Sequence, residues 1–135
     1  MRVLACDGIH EDGLDLFRKA GWTVETSDPI KDPKALAEKL AGFDAVLVRS
    51  ATPVPGEALA KAGQLKVIGR AGAGVDTIDV EAATARGIAV MNAPDGNTLA
   101  AAEHAISLLF ALARHVPRAD AGMKAGEWPK AGLTG

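Results

Sequence analysis

The sequence has one cysteine, no long apolar run and little net charge, and each absence excludes a class of protein. A single cysteine, Cys6, cannot form an internal disulfide, which favours a reducing compartment. A formal net charge of −2 provides no basic surface for nucleic acid or for an anionic membrane. Arg2 and Asp7 interrupt the only apolar start, so that no signal peptide is predicted. We therefore expect a cytoplasmic protein that binds neither nucleic acid nor membrane.

Histidines and acids are also not arranged for catalysis or for metal binding. His10, His104 and His115 have no partners at the spacing of metal ligands. Glu103 precedes His104 on a predicted helix, where adjacent side chains do not face each other. We therefore predict no metal site and no catalytic residue, and we interpret Cys6 as a buried thiol at a strand end.

Short apolar runs alternate with helical periodicity through the first 92 residues. Strands are predicted at 3–6, 22–26, 45–48, 65–69 and 88–91. Helices are predicted between them at 10–20, 33–41, 55–62 and 76–86. Asp32-Pro33 is a typical helix start, and Gly87 is a typical stop. This alternation predicts an α/β fold with a flavodoxin-like, doubly wound, five-stranded parallel sheet in the order 2-1-3-4-5.

Polar turns follow the last three strands, and the carboxyl ends of parallel strands meet at one edge of the sheet, where ligands bind. Arg49 and Ser50 come after the third strand. A guanidinium there can hold a carboxylate or a phosphate with two parallel hydrogen bonds, and the serine adds a hydroxyl. The alternative is a surface arginine paired with a nearby acid. Asn97 follows the fifth strand, where its amide could bind a substrate oxygen or cap the next helix.

Gly72-Ala73-Gly74 follows the fourth strand and has almost no side-chain bulk. Its backbone N–H groups could approach an anion, and the helix predicted from Asp76 would add its positive dipole end. The dinucleotide fingerprint is incomplete, because Thr77 stands at the third glycine position and no ribose-binding acid follows at the right distance. A tight strand-to-helix turn is the alternative interpretation.

The chain after Asn97 differs from the alternating pattern. A long helix is predicted from Leu99 to His115, with Asn97 or Thr98 as its cap. Two apolar faces run along it, formed by Leu99, Ala102, Ile106, Leu109 and Ala113 and by Ala101, Ala105, Leu108 and Leu112. A sheet can cover only one face, so that a partner chain or another domain must cover the other. A shorter helix is predicted from Pro117 to about Ala125, with Gly126–Pro129 as its end.

Two other functions of flavodoxin-like sheets do not fit the turns. A phosphoacceptor domain needs paired acids after strand one, an aspartate after strand three and a lysine after strand five. The chain has Asp7, Arg49 and Asn92 near those places. A flavin phosphate loop needs glycines and hydroxyls after strand one, whereas residues 7–12 are acidic.

Three segments resemble, in register, the D-2-hydroxyacid dehydrogenase family, and within it the branch that acts on 3-phosphoglycerate. The segments are Val48-Arg49-Ser50-Ala51-Thr52, residues 65–114 and Met123–Trp128. The resemblance implies an NAD-dependent oxidoreductase that converts 3-phosphoglycerate to 3-phosphohydroxypyruvate in serine biosynthesis. A glyoxylate or hydroxypyruvate reductase is the alternative branch.

The resemblance also implies a role for each part of the chain. Residues 1–97 would be the substrate-binding lobe, and residues 98–135 the crossover helices that lead to a cofactor domain and help to form a dimer. The implied substrate contacts are Arg49, Ser50, the backbone of Gly72, Ala73 and Gly74, and Asn97. Family members often have a cofactor-contacting threonine at position 73, so that Ala73 would contact the cofactor through its main chain alone.

The cofactor domain and the catalytic histidine of the family would lie beyond Gly135. We therefore expect an isolated lobe that is catalytically inactive, binds NAD weakly or not at all, and keeps weak affinity for 3-phosphoglycerate or a similar small anion. We also expect a homodimer through Leu99–Ala113. A non-catalytic, self-associating α/β module is the alternative of a different class.

Overall fold

Five short strands form one parallel sheet in the first of the two units into which the chain divides, Met1–Gly96 and Asn97–Gly135. The strands are β1 Arg2–Ala5, β2 Thr23–Thr26, β3 Ala45–Val48, β4 Val67–Arg70 and β5 Ala89–Asn92. Their order is β2-β1-β3-β4-β5, and every neighbouring pair is parallel. The predicted fold class and strand order are therefore confirmed.

The structure is a computed structural model that describes residues 1–128 and 130–135. Pro129, which we expected to help end the last helix, lies outside the described residues. Gly126, from the same prediction, has a φ of 77°, a left-handed conformation that is common just after a helix.

The first two helices form where the sequence has caps. Helix α1 spans Glu11–Lys19, and the His10 side chain accepts a hydrogen bond from the Asp12 N–H. Helix α2 spans Pro33–Leu40, and the Asp32 carboxylate accepts hydrogen bonds from the backbone N–H groups of Lys34 and Ala35. These bonds satisfy N–H groups that the first helical turn leaves without partners.

The next two predicted helices are shorter than the sequence suggested. A 3₁₀ turn at Gly56–Leu59 replaces the helix predicted over 55–62. Helix α3 spans Val80–Ala85 rather than 76–86. The reason at α3 is a turn at residues 76 and 77 followed by an isolated parallel bridge between Val54 and Ile78, which together delay the helix until Asp79 caps it. The positive end of a helix therefore does not lie directly after the glycine turn.

The main hydrophobic core lies on one face of the sheet. It joins alternate strand residues such as Leu4, Val46 and Ile68 to Leu36 of α2 and Leu59 of the 3₁₀ turn. The opposite face is covered by α1, whose Leu14 is buried. Beyond α1, that face forms an open apolar groove of about 400 Å³. Its lining includes Phe17, Trp22, Leu47, Val67 and Met91.

The second unit contains helix α4, Thr98–Ala113, helix α5, Val116–Lys124, and a 3₁₀ turn at Lys130–Gly132. His115 lies between the helices with a φ of 53°, and their axes meet at a 66° bend. No residue of α4 is buried, and Leu99 and Leu112 are each 79% exposed. In the described residues no single helix is long and apolar enough to cross a membrane, although α4 and α5 pass that test as a bent pair.

Cys6 lies just after β1 and is fully buried. Burial raises the pKa of its thiol from 9.0 to about 11, and the neighbouring Asp7 carboxylate also acts to raise that pKa. The expectation of a buried thiol is met, because a protonated and inaccessible sulfur is a poor nucleophile.

The raised pKa of Cys6 predicts a loss of stability at alkaline pH. Between pH 9 and pH 11 the unfolded chain releases the thiol proton while the folded chain keeps it, so that the free energy of unfolding falls as the pH rises through this range. Urea denaturation of the wild type and of Cys6→Ala measures this effect. We expect the free energy of unfolding of the wild type to fall relative to that of Cys6→Ala between about pH 8 and about pH 10.5. A pH-independent difference would contradict the prediction.

Candidate functional site

The turns after β3, β4 and β5 are neighbours at the carboxyl edge of the sheet. Val48 lies opposite Arg70, and Arg70 lies opposite Asn92. Just beyond the strands, the Ala71 N–H donates to the Val48 carbonyl at 2.9 Å, and the Ala93 N–H donates to the Gly72 carbonyl at 3.0 Å. The register therefore places the Arg49 turn beside the glycine turn.

Arg49 is exposed at this edge and keeps its side chain free. Its guanidinium makes no hydrogen bond or ion pair with any other residue of the first unit, all of which the structure describes. Arg49 is therefore not paired with an acid of the first unit, contrary to the alternative interpretation. Ser50 is exposed next to it, so that a guanidinium and a hydroxyl are both available on one turn.

The backbone of the Arg49 turn is held by a carboxylate that sequence analysis did not select. Asp7 Oδ2 accepts hydrogen bonds from the N–H groups of Arg49, at 2.8 Å, and Thr52, at 3.0 Å. The Thr52 hydroxyl donates to Asp7 Oδ1 at 2.5 Å and accepts from the Ile30 N–H at 3.0 Å. The only signal in the sequence was the place of Asp7 directly after β1, the neighbour of β3.

Protein donors bind all three carbonyls of the glycine turn. The Gly72 carbonyl accepts from the Ala93 N–H at 3.0 Å, and the Ala73 carbonyl accepts from Asn92 Nδ2 at 2.7 Å. The Gly74 carbonyl accepts from the Arg70 guanidinium. Within the fully described first unit, the N–H groups of Ala73 and Gly74 donate to no protein acceptor. The turn therefore presents hydrogen-bond donors, which are the groups that an anion needs.

The two glycines leave room for Arg70. Neither Gly72 nor Gly74 has a positive φ, so that backbone conformation alone does not require glycine there. A Cβ on Gly74 would lie 3.2 Å from Arg70 Nη1 and 2.6 Å from Asp76 Oδ1. The Arg70 side chain is only 11% exposed, and its Nε is buried without a partner. Arg70 is a second residue that sequence analysis missed, and it packs against the turn from inside.

The glycine turn offers few groups to a dinucleotide. The Ala73 carbonyl is already bonded to Asn92, so that only the Ala73 N–H is left for a main-chain contact with a cofactor. No helix begins until Val80, which removes the helix dipole that was expected to support a bound phosphate. No group of three metal-ligating side chains occurs among residues 1–128 and 130–135.

Asn97 is the first residue of the second unit. It occupies the position before α4, but its side chain makes no capping hydrogen bond. The capping role that we considered for the amide is therefore not realised, and the side chain is exposed.

The Asn92 bond predicts a measurable effect of removing that side chain. We expect Asn92→Ala to lower the free energy of unfolding by about 0.5–1 kcal/mol, because it removes one exposed hydrogen bond. Residues 72–74 should become more mobile in ¹⁵N relaxation measurements. Asn97→Ala is the matched control, since that amide makes no capping bond. Unchanged relaxation at residues 72–74 in Asn92→Ala would contradict the assignment.

Comparisons with known proteins agree with the fold. The model of the D-isomer specific 2-hydroxyacid dehydrogenase catalytic domain matches residues 3–130. The D-3-phosphoglycerate dehydrogenase of Archaeoglobus fulgidus is 46% identical over 130 residues, which cover 96% of this chain and 24% of that protein.

Two solved structures extend the comparison. The TT0316 protein of Thermus thermophilus has a TM-score of 0.84 at 35% identity, over 95% of this chain and 42% of that one. The NAD⁺-bound 3-phosphoglycerate dehydrogenase of Entamoeba histolytica has a TM-score of 0.74 at 30% identity, over 84% of this chain and 39% of that one. The chain spans 24% of the length of its Archaeoglobus relative. On these matches, the chain belongs to the D-isomer specific 2-hydroxyacid dehydrogenase family.

Proposed function

We propose that the chain provides the substrate-binding lobe of an NAD-dependent 2-hydroxyacid dehydrogenase that oxidises 3-phosphoglycerate to 3-phosphohydroxypyruvate in the cytoplasm. The observation that carries the proposal is the free guanidinium of Arg49 beside a turn whose carbonyls are all bonded to the protein. Relatives named D-3-phosphoglycerate dehydrogenase support this choice of substrate.

The proposed substrate carries a carboxylate and a phosphate, and the edge of the sheet offers donors for both kinds of group. Arg49 can donate two parallel hydrogen bonds to one anionic group. The Ala73 and Gly74 N–H groups can donate to another, and the Ser50 hydroxyl lies on the same turn as Arg49. Asn97 is proposed as a further contact through its exposed amide.

These groups bind and orient an anion rather than transfer protons. A guanidinium stays protonated near neutral pH, and backbone N–H groups do not titrate there. NAD supplies the hydride acceptor in this chemistry when it is bound, and Ala73 N–H is the one contact to it that we propose from this chain. We therefore propose that the 135-residue chain by itself binds the substrate without oxidising it.

A titration followed by amide NMR tests the anion site. Adding 3-phosphoglycerate to millimolar concentration should shift the signals of Arg49, Ser50, Gly72–Gly74 and Asn97, whereas NADH alone should not. Arg49→Gln should raise the dissociation constant about tenfold, because it removes a charge-assisted hydrogen bond. The dissociation constant of Arg49→Lys should lie between those of the wild type and Arg49→Gln, since lysine keeps the charge but not the paired donors.

Arg86→Gln is the control for this titration, because it removes the same charge from the exposed end of α3. Equal shifts with phosphate-free hydroxypyruvate or glyoxylate would favour the alternative reductase branch. An absence of shifts in the wild type would overturn the proposed anion site and leave self-association as the function.

We further propose that the chain forms a homodimer through Leu99–Ala113. The exposed side of α4 supports this, since large apolar patches are typical of protein interfaces. Leu108, Leu109 and Phe110 are each more than half exposed.

Sedimentation velocity tests the homodimer. The wild type should sediment as a dimer at high micromolar concentration, and Leu109→Glu should sediment as a monomer because it places a charge in the apolar surface. Leu16→Glu is the matched control, since Leu16 is a single exposed leucine on α1, 68% exposed against 62% for Leu109. A wild-type monomer at that concentration would contradict the proposal.

A further inference from the structure

The Asp7 carboxylate lies where the order of the sheet reverses, between β1 and β3. Doubly wound sheets usually bind their ligands in the crevice at this place. Here the crevice contains three hydrogen bonds between Asp7 and the turn after β3. A side chain of the protein therefore fills part of this crevice, and the free guanidinium lies on the turn that this side chain binds.

The backbone at Asp7 adopts a conformation that is unfavourable for a residue other than glycine. Asp7 has a φ of 64°, and Gly8 follows with a φ of 65°. A left-handed non-glycine residue persists when surrounding bonds determine it, and aspartate tolerates this region better than most residues. Thr52, which bonds both oxygens of the carboxylate, is fully buried, so that the turn is anchored in the core.

We propose that Asp7 is a positioning residue for the anion site. Its carboxylate fixes the backbone of Arg49 and Thr52, and thereby the direction in which the Arg49 guanidinium and the Ser50 hydroxyl leave the turn. The inference rests on the proposed function, because it assumes that this turn binds the substrate anion.

The charge of Asp7 and its hydrogen bonds have opposite effects on the affinity for an anion. A carboxylate near an anion site repels the anion, so that removal of the charge alone would strengthen binding. Loss of the hydrogen bonds that hold the turn would instead weaken binding, because the backbone of the turn would have to be ordered when the ligand binds. The direction of the change therefore separates a positioning residue from a nearby charge.

The experiment is the same NMR titration with 3-phosphoglycerate, made on Asp7→Gly. Glycine tolerates the positive φ of this position and removes the carboxylate together with its three bonds to the turn. We expect the dissociation constant to rise about tenfold. Asp12→Asn is the matched control, since the Asp12 side chain is 92% exposed and takes no part in the turn.

Two variants of Thr52 keep the test decisive if Asp7→Gly does not fold. Thr52→Ser retains the hydroxyl that donates to Asp7 and should bind as the wild type does. Thr52→Val has nearly the same shape without the hydroxyl and should bind about tenfold more weakly. Thermal unfolding of each variant shows how much stability is lost, independently of binding.

Unchanged or tighter binding by folded Asp7→Gly would overturn the positioning role, even if the variant is less stable. Wild-type affinity in Thr52→Val would overturn it as well. If the wild type itself shows no shifts, the proposed function fails. If the wild type binds and the variants bind equally well, only the positioning role fails.

Discussion

Backbone carbonyl and N–H groups at the carboxyl edge of the sheet bind either protein partners or solvent, and the division between the two decides what the edge can bind. The three carbonyls of Gly72–Gly74 are taken by Arg70, Asn92 and the backbone of Ala93. The carboxylate of Asp7 takes the N–H groups of the neighbouring turn. The donors that remain available are the Arg49 guanidinium and the N–H groups of Ala73 and Gly74. Donors gathered at neighbouring turns favour an anion.

The sequence predicted the features that depend on local patterns. Apolar runs, caps such as Asp32 and stop glycines such as Gly87 are short-range signals, and they predicted the strands and the first two helices. The strand order followed from the handedness of parallel crossovers, which leaves few orders for five strands. The start of α3 was wrong, because a long-range pairing of Val54 with Ile78 outweighs the local preference for helix. Arg49 and Gly72–Gly74 were selected from residue type and position. Asp7, Arg70 and Asn92 were missed, because their roles depend on which strands are neighbours.

The two faces of the sheet differ in how completely the first unit covers them. One face packs against α2, α3 and the 3₁₀ turn, and it contains the main core. The other is covered by α1 in part and continues as the groove beside Leu47 and Met91. The carboxylate bonds of Asp7 are anchored in the core through the buried Thr52. The carbonyl bonds of the glycine turn come instead from Arg70, Asn92 and Ala93, which line the open groove.

Exposure of the donors sets the strength of binding that the first unit can provide alone. Arg49, Ser50, Ala73 and Gly74 are all exposed. A hydrogen bond in water contributes less than one from which water has been excluded, since both partners exchange solvent for each other. Ordered turns reduce the entropic cost of binding, but they do not exclude water. Weak affinity is therefore the expected property of a well-ordered but open site, and covering that site would strengthen each bond without adding a new one.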